Sequence, residues 1–104
     1  MRGGNMKNMM KQVKKMQKEM ESEQKKLDET IFTGTANNDL VTVDITGNRT
    51  VKKVNISEEI IDPEDKDIME DLVLLAVNDA LEQIDKASDQ KMGKYTDQMN
   101  IPGF

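Results

Sequence analysis

The chain contains no cysteine, no histidine and no tryptophan. Without thiols there is neither a disulfide framework nor thiolate chemistry. Without imidazole as well, most acid–base, nucleophilic and transition-metal sites are excluded. Ser22, Ser57 and Ser88 therefore have no histidine to activate them. Aromatic residues are reduced to Phe32, Tyr95 and Phe104. No apolar run approaches the roughly 18 residues that span a membrane. The opening MRGGNMKNMMK lacks the continuous apolar stretch of a signal peptide. Gly3-Gly4 opens no strand–helix unit, so there is no phosphate loop. An EF-hand loop counted from Asp62 would need glycine at its sixth position and glutamate at its twelfth. Asp67 and Val73 stand there instead, and the motif fails. The expectation is a cytoplasmic protein that is not an enzyme, with no cofactor, no metal and no small-molecule substrate.

What is present fits a single domain spanning residues 1–104. Core material is thin. Leucine, isoleucine, valine and phenylalanine total 23, supplemented by nine methionines, while 34% of residues are charged. That balance lies near the limit for a chain folding alone, so self-association is expected. The net charge of −5 hides a strong asymmetry. Residues 1–18 hold Arg2 and five lysines against no acid, a charge of +6. Residues 57–89 hold twelve acids against Lys66 and Lys86, a charge of −10. Segregation on this scale gives the molecule two faces with different roles.

The most organised stretch is Met6 to Leu27. Met6, Val13, Met20 and Leu27 recur at heptad spacing, with Met9 and Met16 three residues after the first two. This narrow apolar seam is the pattern that packs one helix on another. Lys7, Lys11, Lys14, Lys18 and Lys25 lie on the far side, with Lys15 flanking them. A helix kept only for solubility mixes charge signs through i,i+4 pairs. Here the acids begin only at Glu19, so the first half of the helix stays positive.

Asn5 is placed to cap this helix, with residues 1–5 as a flexible lead and the helix ending near Glu29. Thr30 to Ala36 has strand composition, and Gly34 within it marks a bend or a close backbone approach. Asn37-Asn38-Asp39 is turn chemistry. Leu40 to Thr46 alternates cleanly, with Val41, Val43 and Ile45 on one face. After a turn at Gly47-Asn48, Thr50 to Ile56 forms a third strand. Asp62-Pro63-Glu64-Asp65 reads as a helix start. The second helix is expected from about Pro63 to Met92, with Ile68, Met69, Leu72, Val73, Ala76, Val77, Ala80, Ile84 and Ala87 on its packing face. Gly93 reads as its C-terminal stop, and residues 94–104 as a flexible tail. The fold class is thus α+β, α-β-β-β-α, with a three-stranded antiparallel meander and two long helices in a tight homodimer. Met9, Val13, Met16, Met20, Leu72 and Ala76 are expected at the dimer interface.

The basic half-helix is the strongest functional feature. Phosphate contacts need cations spaced along a charged rod, and lysine supplies point charge without base readout. The first helix has no aromatic residue for stacking single strands, which favours duplex DNA. No reading head of Arg, Asn and Gln is grouped at a helix start, so little sequence preference is expected. Arg49, Lys52, Lys53, Lys91 and Lys94 are lesser cationic candidates. One rival is a protein-interaction module that uses the acidic surface and the Met-rich helix. A membrane-surface helix fits less well, because the seam is narrow and lacks the Trp, Phe and Leu of interfacial helices.

Four stretches together resemble the YbaB/EbfC family of nucleoid-associated proteins: MKNMMKQVKKMQKEM, TGTANNDLVTVDITG, VKKVNISEEIIDPEDKDIMEDLVLLAVNDAL and KMGKYTDQMNIPGF. The third is the most specific, and together they cover nearly the full length. The resemblance implies the α-β-β-β-α fold and a tight homodimer whose helical arms project like tweezers. It also implies double-stranded DNA as partner, often with little sequence preference, and a place in nucleoid organisation and gene expression. At the arm ends it implies Lys7, Lys11, Lys14, Lys15 and Lys18, followed by Lys91 and Lys94.

Overall fold

The computed structural model describes the backbone of residues 2–99 and the side chains of residues 5–93. The order of elements is α1 (Arg2–Glu29), β1 (Ile31–Ala36), β2 (Val41–Thr46), β3 (Val51–Ile56) and α2 (Lys66–Met99). Two short 3₁₀ turns, Glu58–Ile60 and Pro63–Asp65, lead into α2. This is the α+β architecture expected, with each strand starting within a residue of the sequence reading.

The three strands form one antiparallel sheet in the order β1-β2-β3. The β1–β2 turn places Asn37, Asn38 and Asp39 at φ of 49°, 55° and 67°. Three successive left-handed residues are tolerable because Asn and Asp side chains hydrogen-bond locally and accept that region. In the β2–β3 turn Arg49 is left-handed, at φ 69°. Thr46 ties this turn together: its hydroxyl bonds the Asn48 side chain and, at 3.3 Å, the Thr50 carbonyl.

One sheet face carries Gly34, Ala36, Val41, Val43 and Ile45, all buried. The α2 residues Leu72, Ala76, Ala80 and Ile84 complete this core. Their i, i+4, i+8, i+12 spacing is a single helical stripe. The tightest point is Gly34. A Cβ there would stand 2.0 Å from the Ala76 carbonyl oxygen and 2.5 Å from the Ala80 nitrogen. Glycine on the strand and alanines on the helix let the two backbones meet. Beside this contact, Asp79 accepts the Thr35 backbone N–H at 3.0 Å, and Gln83 donates to the Thr33 carbonyl at 2.9 Å. The free edge of β1 is therefore occupied by side chains of α2.

Because Thr35 meets Asp79 and Thr33 meets Gln83, α2 runs opposite to β1. Further along, Lys91 pairs with Glu23 of α1 at 3.9 Å, so α1 and α2 are antiparallel neighbours. Leu27 is buried at the base of α1, against Gly47 of the β2–β3 turn. Beyond the sheet both helices continue as an arm. The molecule measures 77 × 26 × 16 Å, with a radius of gyration of 20.8 Å. A compact domain of this length would have about 13 Å.

Several expectations change. Helix α1 already includes Arg2, so residues 2–4 are helical and not a loose lead. Helix α2 passes through Gly93, which has open space for a Cβ and no left-handed backbone. A glycine stops a helix only by turning left-handed, and the good helix formers Lys91, Met92 and Lys94 around Gly93 carry the helix on. The expected flexible tail is thus helical as far as Met99; residues 100–104 lie outside the described part. Leu72 and Ala76, expected between subunits, are buried against the chain's own sheet. Ile68, expected on the packing face, is exposed.

The Gly34 contact makes a sharp prediction. Gly34→Ala forces the helix off the sheet and costs about 3 kcal/mol, the upper range for overpacking. Urea denaturation measures it; a loss below about 1 kcal/mol would show that the helix yields without cost.

Candidate nucleic-acid interface

The arm is built by α1 from Asn5 to Met20. No residue between Asn5 and Lys18 is acidic, and Lys7, Lys11, Lys14, Lys15 and Lys18 are all exposed. Among the described residues the ion pairs are Arg49–Asp85, Lys86–Glu82 at 3.3 Å and Lys91–Glu23 at 3.9 Å. None involves a lysine of the arm, whose five charges therefore have no counterion among the described residues. The positive end of the α1 dipole lies at the same end and adds to them. From Lys7 to Lys18 the helix rises about 16 Å. Duplex DNA presents roughly one phosphate charge per 1.7 Å of axis, so this length faces about ten phosphates.

The other cations differ. Lys91 is half-buried and held to Glu23, where it joins the two helices at the root of the arm. The Lys94 side chain lies outside the described residues. Arg49 bonds Asp85 and braces the β2–β3 turn against α2. Lys52 and Lys53 stand exposed on β3, away from the arm. The structure thus gathers Lys7, Lys11, Lys14, Lys15 and Lys18 on one unopposed surface and assigns Lys91 and Arg49 to internal ties.

The heptad stripe divides along its length. Leu27 is buried, and Met16 and Met20 are half-buried where α1 runs beside α2. Above them Met6 and Met9 are each 65% exposed, Met10 58% and Val13 54%. These four form a shallow apolar depression together with Lys14 and Gln17.

Sequence reasoning missed a second bare apolar surface. By strand register Val54 pairs with Val43 and Val51 with Ile45, so both share the core face of the sheet. Yet α2 lies over β1 and β2, leaving Val51 52% and Val54 48% exposed. Asp79 and Gln83 mark the flank of α2 above β1. Val73, Val77 and Leu81, half-buried, lie on the opposite flank with exposed Leu74 beside them. One turn past Leu81, Asp85 reaches Arg49 in the β2–β3 turn, so this flank looks toward β3. The signal was available: Asp79 and Gln83 interrupt the apolar face of α2 one turn apart, as residues serving a strand edge do.

Among the described residues no group of three or more carboxylates is placed to hold a metal, and no helix is long and apolar enough to cross a membrane.

The chain is 55% identical to a nucleoid-associated protein of Enterococcus faecalis, over 100% of this chain and 99% of that one. It is 54% identical to one of Listeria monocytogenes, over the whole of both chains. A nucleoid-associated protein of Ligilactobacillus salivarius shares 50% identity over 100% of this chain and 98% of its own. The fold is shared with the crystal structure of HP0035, an uncharacterized protein from Helicobacter pylori. There the TM-score is 0.70 at 20% identity, over 85% of this chain and 92% of that one. Residues 2–99 match the YbaB/EbfC DNA-binding family, and the chain belongs to that family.

Proposed function

We propose that the protein binds duplex DNA as a homodimer, mainly through phosphate contacts and with little sequence preference, and acts in the nucleoid on its organisation and on gene expression. The observation that carries this reading is the arm: five exposed lysines on one helix with no acid among them and no ion-pair partner among the described residues. Its relatives' description as nucleoid-associated proteins supports the same setting. Lysine contacts to phosphate fix position without reading bases. The sequence −10 over residues 57–89 keeps the body of the protein off the duplex and confines contact to the arms.

The dimer follows from the uncovered surface of β3 and α2. Fully burying a valine or leucine is worth about 1.5–3 kcal/mol. Val51, Val54 and Leu74 stand ready for that burial together with the flank of Val73, Val77 and Leu81. The copies join by faces rather than by extending the sheet. The edge of β1 is filled by Asp79 and Gln83, and β3 is guarded by Lys52, Lys53 and a bulge opposite Asp44 and Ile45. The proposed contact uses the face of β3 and α2 and leaves Met9 and Val13 outside it.

Sedimentation equilibrium at micromolar concentration is expected to give about twice 11.8 kDa. A well-folded monomer there overturns the dimer.

Filter binding of random-sequence duplex DNA at several salt concentrations tests the mechanism. With about half of the arm lysines engaged, a dimer neutralises roughly five phosphates, and log K against log salt has a slope of about −4 to −5. A flat salt response, or strong dependence on one sequence, overturns phosphate contact.

Lys11→Glu, Lys14→Glu and Lys18→Glu together leave stability within about 1 kcal/mol of wild type, since all three sites are exposed. DNA affinity falls at least about tenfold. If binding persists unchanged, the arm is a solvated face, and a protein partner for the acidic surface becomes the leading reading.

A further inference from the structure

The lysines account for attraction to DNA but not for the apolar stripe of the same helix, which only Lys14 adjoins. Met6, Met9 and Met10 are more than half exposed at the outer end of the arm, and no described residue covers them. In a chain with so little core material, three bare methionines at helical spacing are a costly surface to keep. They are not isolated. Lys14, one turn beyond Met10, lines the same depression. The surface is at once apolar and cationic, and no described carboxylate lines it. Its complement is a ligand with an apolar interior and an anionic rim, and a duplex answers to that description, with stacked bases between phosphate rails.

We infer that Met6, Met9 and Met10 form an apolar wedge that enters between base pairs from the minor groove and bends the DNA held by the lysines. The inference rests on the arm binding duplex DNA as proposed above, and adds how it does so. An α-helix is about 10–12 Å across, whereas the minor groove is about 6 Å wide. A helix presenting its apolar side there meets base steps only if the groove opens, which means partial unstacking and a kink toward the major groove. Methionine suits this position: unbranched and polarisable, it adapts to an irregular slot, and it serves as a wedge in proteins that bend DNA. From Met6 to Met10 the rise is about 6 Å, less than two base-pair steps of about 3.4 Å. The wedge thus addresses one or two neighbouring steps. In the wider major groove the same thioethers would face mainly polar base edges and gain little.

The test uses the full chain and its Met6→Gln/Met9→Gln/Met10→Gln variant. Glutamine is close to methionine in length and helix propensity, and circular dichroism verifies that the fold is kept. The probe is a random-sequence duplex labelled at both ends for energy transfer, with a 2-aminopurine reporter of unstacking. Wild type is expected to shorten the end-to-end distance and to raise 2-aminopurine emission at least about twofold. The variant keeps the salt slope of wild type, because its lysines are intact, while the bending signal drops roughly fivefold. Wild type that binds with the expected salt slope but neither bends nor unstacks the duplex overturns the wedge and leaves the phosphate mechanism standing. A variant that bends DNA like wild type also overturns it. A variant that sediments at half the wild-type mass assigns the stripe to a second copy instead. Wild type that binds phosphatidylglycerol vesicles through the stripe, with duplex bending unaffected by the substitutions, assigns it to an anionic lipid surface. Wild type that fails to bind any duplex defeats the wedge and the DNA reading together.

Discussion

Everything beyond the sheet depends on how closely α2 can approach β1. At Gly34 the two backbones touch, with the small side chains of Ala76 and Ala80 on the helix at that point. This contact fixes the helix axis above β1 and β2. It brings Asp79 and Gln83 within reach of the β1 edge and leaves β3 uncovered. It also fixes the direction in which α2 leaves the sheet. A second small-residue contact does the same for α1, since a Cβ on Gly47 would stand 1.8 Å from the Leu27 carbonyl oxygen. Two glycines thus set the paths of two long helices, and the arm projects where those paths meet.

Much of this was legible in the sequence, and the parts that were not share a cause. Strand alternation placed Val41, Val43 and Ile45 on the core face, because a period of two admits no other half-buried solution. Heptad spacing revealed that the α1 stripe is apolar. Neither pattern states which surface covers an apolar face. Leu72 and Ala76 were therefore assigned to a partner when they close the chain's own core, and Val54, which alternation places inward, stands uncovered beside Val51. Gly93 misled for a different reason. Glycine permits a left-handed stop but does not enforce one, and only the neighbours decide. The exposure of the arm lysines was legible, since an acid-free run on one helix offers no i,i+4 partner. Lys91 was not, because its tie to Glu23 crosses between elements far apart in sequence.

Charge is sorted along the long axis of this molecule, and the sorting matters more than the total. At physiological ionic strength exposed charges act over about 8 Å. Along α1, Lys7 stands about 18 Å from Glu19, where the acids begin, or roughly two screening lengths. A net acidic protein can therefore present a locally cationic tip without self-cancellation, while its body is repelled from the same polyanion. Orientation on the ligand follows from that gradient before any specific contact forms.

The two closed strand edges bear on how such proteins coexist when many sit side by side on one polymer. An open edge is a template that never runs out: each strand added exposes another, and crowding drives growth into fibres. Here Asp79 and Gln83 terminate one side of the sheet, and the lysines and bulge of β3 discourage addition on the other. Contact between neighbours is then left to side-chain surfaces, which saturate. An edge closed in this way offers no template for open-ended strand addition, and the acceptor oxygens of a single aspartate help to close it.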